Sequence, residues 1–458
     1  MPTPAVRAVA ILPRAATLAA AVLGVFVMSY VTIAPAAHAA APWTLDAALH
    51  AALENSPDAR IAQQRVAGAQ ALEQQARAML MPQLAVSGGY TETNSPMMAF
   101  GSILNQRAFD FGLDFNHPGT IDNLNATGTV ALNLYSGGRT SAGARAARAG
   151  VIAAEHDARA THNQLIAATV TAYLNISKAS EAVGAIDAGV RAYEAAVANA
   201  RARFEAGQML KSDLLSLEVQ LAQTRENLVG ARHGQALAER AFLFVLGIDA
   251  NDEPVELVDH DPALARLVPP DSLDFAGRPE LLGLQERARA AEAMVRVARG
   301  ARQPEVNAFG SVQHDRGWET DSSGNSWMAG VAVNLKVFDG GATSGKIHQA
   351  EAELAQMRAM LRKTELGLGL EVERARLAQD EAAERLSVAT ATVAQAEESA
   401  ALSRARFEQG ALLTADLIGV EGRLIEARMR RAVAEADEYI AIADLRRAVG
   451  LEPLEVAP

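Results

Sequence analysis

One heptapeptide occurs twice in this chain. Arg201-Ala202-Arg203-Phe204-Glu205-Ala206-Gly207 returns as Arg404-Ala405-Arg406-Phe407-Glu408-Gln409-Gly410, displaced by about 203 positions. Self-similarity at a fixed displacement constrains a fold more than any local signal, because each copy must build the same unit. The same displacement carries Gly137-Gly138 onto Gly340-Gly341, Asp213 onto Asp416, and Leu246-Gly247 onto Val449-Gly450. Upstream it grows to about 222, where Asn55-Ser56-Pro57 meets Gly277-Arg278-Pro279 and Met81-Pro82-Gln83 meets Gln303-Pro304-Glu305. The first copy therefore holds an insertion of about 19 residues between Pro82 and Gly137.

Each copy reads as the same series of elements. Residues from about Thr44 to Ala78, and again from Pro279 to Arg302, mix Ala, Leu and Val with Gln, Arg and Glu at helical spacing. A proline ends each segment, and the period then changes to two. Leu84, Val86, Gly88 and Tyr90 alternate with Ala85, Ser87, Gly89 and Thr91, as Val306, Ala308, Gly310 and Val312 do with Asn307, Phe309, Ser311 and Gln313. Return strands follow at Val130, Leu132, Leu134 and at Trp327, Ala329, Val331, Val333, Leu335, Val337. The loop between the strands is long in the first copy, about 94–123, and short in the second, about 317–325. A Gly-Gly turn then opens a proline-free helix of about 69 residues, roughly 100 Å long at ~1.5 Å per residue. Gly207 and Gly410 break these rods, and Asp213 or Asp416 is expected to start, and to cap, a returning helix of about 35 residues.

Four strands with one apolar and one polar or small-residue face cannot close on themselves, since the smallest barrels need about eight. Three copies supply twelve, enough to enclose a lumen. The expected fold class is thus an α+β membrane protein: a trimeric 12-stranded β-barrel, four strands per chain, continued by a long α-helical coiled-coil tunnel. The apolar alternate face would meet outer-membrane lipid. Tyr90, Trp318 and Trp327, read as lying where strands meet loops, would form its interfacial girdle. Along the chain the expected divisions are a signal peptide at 1–39, a first repeat at 40–250 with its strand hairpin at 84–135, a linker at 251–278, a second repeat at 279–450 with its hairpin at 306–338, and a tail at 451–458. The leader reading rests on Arg7 and Arg14 before an apolar run from about Ala15 to Ile33, then Pro35 and Ala37-His38-Ala39.

Composition agrees and excludes. Aromatic residues make up 5 % of the chain, low for an enzyme core, while abundant alanine suits closely packed helices. A net charge of −12 with no basic run argues against nucleic acid. There is no cysteine, which excludes disulfides, thiolate metal sites and a cysteine-borne lipid anchor.

This combination of a duplicated chain, two strand hairpins, two rods broken by Arg-x-Arg-Phe-x-x-Gly and an export signal resembles the TolC-type outer-membrane efflux and secretion duct family over essentially the whole mature chain. The resemblance implies a homotrimer with a barrel in the bacterial outer membrane and a helical tunnel in the periplasm. It further implies two partners, a periplasmic adaptor (membrane fusion) protein and an inner-membrane pump or transporter. In that family the helical tips dock the adaptor, which here points to Gly207, Gln208, Met209, Leu210 and to Gly410, Ala411, Leu412, Leu413. Its closed mouth is lined by aspartates one turn further on, here Ser212-Asp213 and Asp416, with the tip aromatics Phe204 and Phe407 as further gate candidates. The chain departs from some members in carrying Gly419 where a second acidic residue is expected and Leu412 where a basic one occurs.

The remaining motifs read as structure. Gly340-Gly341-Ala342-Thr343-Ser344-Gly345-Lys346 has phosphate-loop spacing but is followed by Ile347 where Ser or Thr is required, so it reads as a strand-to-rod turn. Asp321-Ser322-Ser323-Gly324-Asn325 lacks the terminal glutamate of a calcium loop, and His156 and His162 lie off one helical face. No convergent catalytic set is legible, and neither cofactor nor enzyme activity is expected. The function that fits is a duct subunit of a tripartite efflux pump or type I secretion system. A trimeric structural or adhesive coiled-coil protein is the alternative, disfavoured because strands interrupt both halves symmetrically.

Overall fold

The computed structural model describes residues 42–249 and 255–455. The expected leader at 1–39 lies outside them. The first half contains α1 (Leu45–Asn55), α2 (Pro57–Ala78), β1 (Gln83–Thr93), α3 (Pro96–Asn105), β2 (Ile121–Tyr135), α4 (Arg139–Glu205) and α5 (Lys211–Leu246). The second half contains α6 (Pro279–Gly300), β3 (Glu305–Gly317), β4 (Ser322–Asn334), α7 (Ala342–Glu408) and α8 (Thr414–Ala448).

Both rods, α4 and α7, have 67 residues. Each is entered through a left-handed pair, Gly137 (φ 65°) and Gly138 (φ 76°) in one copy, Gly340 (φ 65°) and Gly341 (φ 92°) in the other, a conformation that disfavours any residue with a Cβ. Each ends in the same Schellman turn. Gly207 N–H donates to the Phe204 carbonyl and Gln208 N–H to that of Arg203, at 2.9 and 2.8 Å. Gly410 and Ala411 repeat this onto Phe407 and Arg406 at the same two distances. The heptapeptide is therefore a helix-termination device written twice.

Four expectations are corrected. The first helix is two, because Pro57 forces Ser56 out of helical geometry (φ −57°, ψ 129°) and Ser56 then caps α2 by accepting from the Asp58 N–H. The long loop is ordered around α3 and ends at Ile121, while the short one shrinks to 318–321 as polar residues from Ser322 onward keep pairing. The last strand stops at Asn334, paired with Glu305, because Pro304 has no N–H to extend the ladder to Leu335 and Val337. Finally, Leu210 and Leu413 occupy the N-cap positions of α5 and α8, so Asp213 and Asp416 are not caps; they sit in the first helical turn, where a negative charge favours the helix dipole.

The strands form one antiparallel sheet in the order β1-β2-β3-β4, so the hairpins of the two repeats pair edge to edge through β2 and β3. Register sorts the side chains. Val86, Gly128, Val312 and Trp327 share a row, as do Leu84, Val130, Gly310 and Ala329, all on one face. The neighbouring rows, Ala85-Thr129-Ser311-Met328 and Ser87-Thr127-Gln313-Ser326, lie on the other.

Below the sheet, α4 pairs with α5 and α7 with α8 as antiparallel hairpins, joined where α4 packs on α8; α2 lies along α4, and α6 between α4 and α7. The joint is tight at Gly189, where a Cβ would lie 2.3 Å from Ile425 Cδ1. A core partway along the helices gathers Leu45, Leu49, Ile166, Tyr173, Phe242 and Leu246. The buried Asp261 anchors it, accepting from the N–H of Leu45 (2.5 Å) and Ala263 (2.9 Å) and from the Tyr173 hydroxyl (3.0 Å). Burial, and then the Asp261 charge, push the Tyr173 phenol well above its ordinary value.

Candidate functional site

Two regions carry chemistry: the sheet and the helical tips. On the sheet the apolar face is exposed at Leu84, Val86, Tyr90, Val312, Trp327, Val331 and Val333. The opposite face is polar and hydrogen-bonded. Asp315, almost wholly buried, accepts from Asn123 Nδ2 (2.8 Å), Asn125 Nδ2 (3.0 Å) and Gln313 Nε2 (2.7 Å), and Asn133 donates to Asn307 Oδ1 at 2.8 Å. A sheet this wide, apolar on one side and polar on the other, divides a hydrocarbon phase from water.

At the loop end Asp122 clamps the β3–β4 turn, accepting from the N–H of Trp318 (3.0 and 3.1 Å) and Glu319 (2.7 Å). Gln106, fully buried just after α3, donates to the Asp122 carbonyl (2.7 Å) and Asn123 Oδ1 (2.9 Å) and accepts from the Thr320 hydroxyl (2.6 Å). These bonds fold the long loop onto the polar face. Tyr90 and Trp318 do meet, with ring centroids 5.9 Å apart. Trp327 does not join them or lie at a strand-loop junction: it pairs with Val312 inside β4, because the strand starts five residues earlier than the alternation of apolar residues indicated.

At the tips a second core packs Tyr193, Ala200, Leu214, Leu217, Phe407 and Leu417, with Met209 and Leu412 against it. The two tip aromatics differ. Phe407 is 2 % exposed, whereas Phe204 is 37 % exposed. Phe407 is packed into this core, and Arg203 lies against it as well. Its guanidinium lies over the Phe407 ring, 5.8 Å from the centroid, and donates to the Phe407 carbonyl at 3.0 Å. Of the other tip residues, Gly207, Gln208, Leu210, Gly410, Ala411 and Leu413 are exposed, as are Ser212 and Asp416, while Asp213 is half-buried. The structure therefore brings six of the eight docking candidates to the exposed tips, with Met209 and Leu412 turned partly into the core, and sets the aspartates one turn behind them.

Above the tips the two hairpins carry ion pairs at equivalent positions. Arg201 Nη2 reaches Glu218 Oε1 at 2.6 Å, and Arg404 holds Glu421 with two bonds of 2.5 and 2.7 Å. Those bonds raise the Arg404 guanidinium further, against the effect of its partial burial. Tyr193 lies alongside, donating to the Ile418 carbonyl at 3.1 Å; burial, and then the nearby Glu421 charge, push its phenol up to about 12. Arg203, Tyr193 and these ion pairs escaped the sequence reading, although Arg203, Arg201 and Arg404 stand inside the repeated heptapeptide itself.

The comparisons with known proteins coincide with this architecture. Residues 48–247 and 274–451 match the family profile described as outer membrane efflux protein. The chain belongs to the outer membrane efflux protein family. The two matched segments fall on the two repeats. Outer membrane efflux protein BepC of Brucella suis is 25 % identical over 338 residues, covering 71 % of this chain and 72 % of BepC. Protein CyaE of Bordetella pertussis is 28 % identical over 340 residues, covering 72 % of this chain and 67 % of CyaE. Among solved structures, the CmeC outer membrane channel of Campylobacter jejuni superposes with a TM-score of 0.75 at 17 % identity, covering 90 % of this chain and 87 % of CmeC. The chain is thus an outer-membrane efflux duct subunit, a four-stranded share of a barrel continued by a periplasmic helical tunnel, and it is a channel component rather than an enzyme.

Proposed function

We propose that three copies of this chain close into one duct through which cargo, received from a periplasmic adaptor and an inner-membrane pump or transporter of an efflux or type I secretion system, leaves the cell. The observation that carries this reading is the sheet. Its order leaves β1 and β4 as open edges, and an open edge in a bilayer is untenable because unpaired backbone groups there find no water. Joining β4 of one copy to β1 of the next removes every edge, and three copies give a barrel wide enough for an aqueous lumen. The apolar face then meets lipid with Tyr90, Trp318 and Trp327 on or beside it, and the polar rows line the passage.

The rods continue the lumen through the periplasm. Their glycine turns, with Gln208, Met209, Leu210, Ala411, Leu412 and Leu413, present the surface for the adaptor. Ser212, Asp213 and Asp416 line the narrow mouth, where copies of like charge share a field that draws cations. Single-channel recording of the Asp213→Ala, Asp416→Ala double variant tests this: cation preference and block by divalent cations from the periplasmic side should both fall. Unchanged selectivity and block would remove the aspartates from the mouth.

A further inference from the structure

The four strands contain only two basic side chains, His314 and Arg316, and both stand on the apolar face, continuing the line of Val312 along β3 towards the loops. On the polar face a positive charge would cost nothing anywhere along the strand, whereas on the apolar face it is tolerated only near the rim of a bilayer, so the placement asks for a reason. Register gives each residue a polar neighbour on β4: His314 faces Asn325 and Arg316 faces Ser323, opposite residues being roughly 5 Å apart. All four are exposed. His314 Nδ1 lies 2.7 Å from Asn325 Oδ1, which holds the ring by one nitrogen and leaves Nε2 open. The ion pair of Arg316, to Asp321 in the turn, is loose at 3.9 Å. The Asp122 carboxylate is spent on the Trp318 and Glu319 N–H groups, and Glu92 and Glu319 stand nearer the loops. On the helix side of the cluster Ala126 and Gly128 are too small to fill the space between Val86 and Trp327. A depression of about 600 Å³ opens there, bounded by Val86, Val312 and Trp327 and reaching His314 and Asn325. The loops lie at the end of the sheet away from the helices, so in the outer membrane this cluster stands in the outer leaflet.

We propose that His314, Arg316, Ser323 and Asn325 bind the phosphate-bearing sugar of an outer-leaflet glycolipid, with one of its acyl chains in the depression beside Trp327. This rests on the reading above that the apolar face meets lipid. Arg316 presents a fork of N–H donors that matches two phosphate oxygens, and protonated His314 adds a donor through Nε2. Ser323 and the Asn325 amide both donate and accept, which suits the hydroxyls of a sugar. A bound phosphate in turn neutralises the two positive side chains where the water thins towards the hydrocarbon. The Tyr90 and Trp318 rings, 5.9 Å apart, stand at the headgroup level on the loop side of the site.

Native mass spectrometry of the detergent-extracted protein reads the site through retained lipid. Lipid A with its phosphates, lipid A stripped of them by phosphatase, and phosphatidylglycerol are added in turn. Phosphorylated lipid A should be retained at least tenfold better than either of the others. The His314→Ala, Arg316→Ala double variant should lose that preference, Arg316→Lys should keep part of it, and Lys336→Ala, beyond the other end of β4, should leave it unchanged. Equal retention of the three lipids by the wild-type protein overturns the proposal, as does an unaltered preference in the double variant or an equal loss in Lys336→Ala. The wild-type comparison decides even if the double variant fails to assemble. A separate measurement isolates the reading beneath it: with Trp43→Phe and Trp318→Phe, Trp327 is the sole tryptophan, and brominated phospholipid in reconstituted vesicles should quench it. Quenching without lipid A preference overturns the glycolipid site and leaves the lipid-facing assignment standing; no quenching overturns both.

Discussion

Val312 and Ser311 are adjacent on β3 and point to opposite faces, which makes them a paired probe of what each face meets. Val312 shares its row with Gly128 and Trp327 near the middle of the sheet, and Ser311 with Thr129 and Met328. In the duct, Val312→Lys puts an ammonium into the hydrocarbon near mid-depth, at a cost of about 2–4 kcal/mol per copy. Three copies in a barrel that folds as a unit give roughly 6–12 kcal/mol, comparable with the whole stability of many proteins. Ser311→Lys places the same charge in the aqueous lumen, where the stability cost is about zero and the change appears in conductance and ion selectivity. The assay is urea unfolding of protein reconstituted in lipid vesicles, followed by the fluorescence of Trp318 and Trp327 in a Trp43→Phe background. Val312→Lys should lower the midpoint sharply or abolish insertion, while Ser311→Lys should leave it near wild type. Equal effects, or the reverse order, would refute the assignment of the faces.

Three further outcomes follow from particular contacts. Arg278, buried between the linker and the rods, donates to Glu280 (3.0 Å), Glu371 (2.8 Å) and the Ala448 carbonyl (3.3 Å), so Arg278→Ala should cost about 3 kcal/mol in chemical denaturation; a loss under 1 kcal/mol would show that water replaces it freely. The Tyr193 phenol is held up to about 12 against its ordinary 10.0, so the stability that rests on its neutral form is intact below pH 10 and is lost as pH rises towards 12; Tyr193→Phe should flatten the stability profile across that window, and an unchanged slope would contradict the assignment. A Cβ at Gly324 would lie 2.0 Å from the Asn105 carbonyl oxygen, so Gly324→Ala should lift the α3 loop from the polar face and expose 96–118 to limited proteolysis, whereas an unaltered digest would place the loop's anchor elsewhere.

What the chain declared in advance was whatever repeats or has a short period. Gly207 and Gly410 were legible because helix termination needs a left-handed residue, and the faces of the sheet because alternation survives pairing: Val130, Gly310 and Ala329 do line up with Leu84. Contacts between elements distant in sequence were not legible. Asp122 is an ordinary strand-end aspartate until the β3–β4 turn arrives to bond it, and Asp261 gives no hint of Tyr173 or Leu45. Polar strand ends hide as well: Ser322–Ser326 pair fully with β3 but show no apolar alternation, so Trp327, where that alternation begins, lies inside β4 and not at its start. Asp213 and Asp416 look like caps in the sequence because an acidic residue after a glycine turn is a common helix start. The Schellman turn instead spends three more residues, ending at Leu210 and Leu413, before the next helix can begin.

The central claim is that the open sheet is one third of a closed conducting barrel. Native mass spectrometry of the detergent-extracted protein, with the same preparation added to a planar bilayer, measures both parts at once. The account predicts three chains per particle and discrete ion-conducting steps. A monomeric or dimeric particle, or a trimer that leaves the bilayer silent in the Asp213→Ala, Asp416→Ala double variant as well as in wild type, would contradict it.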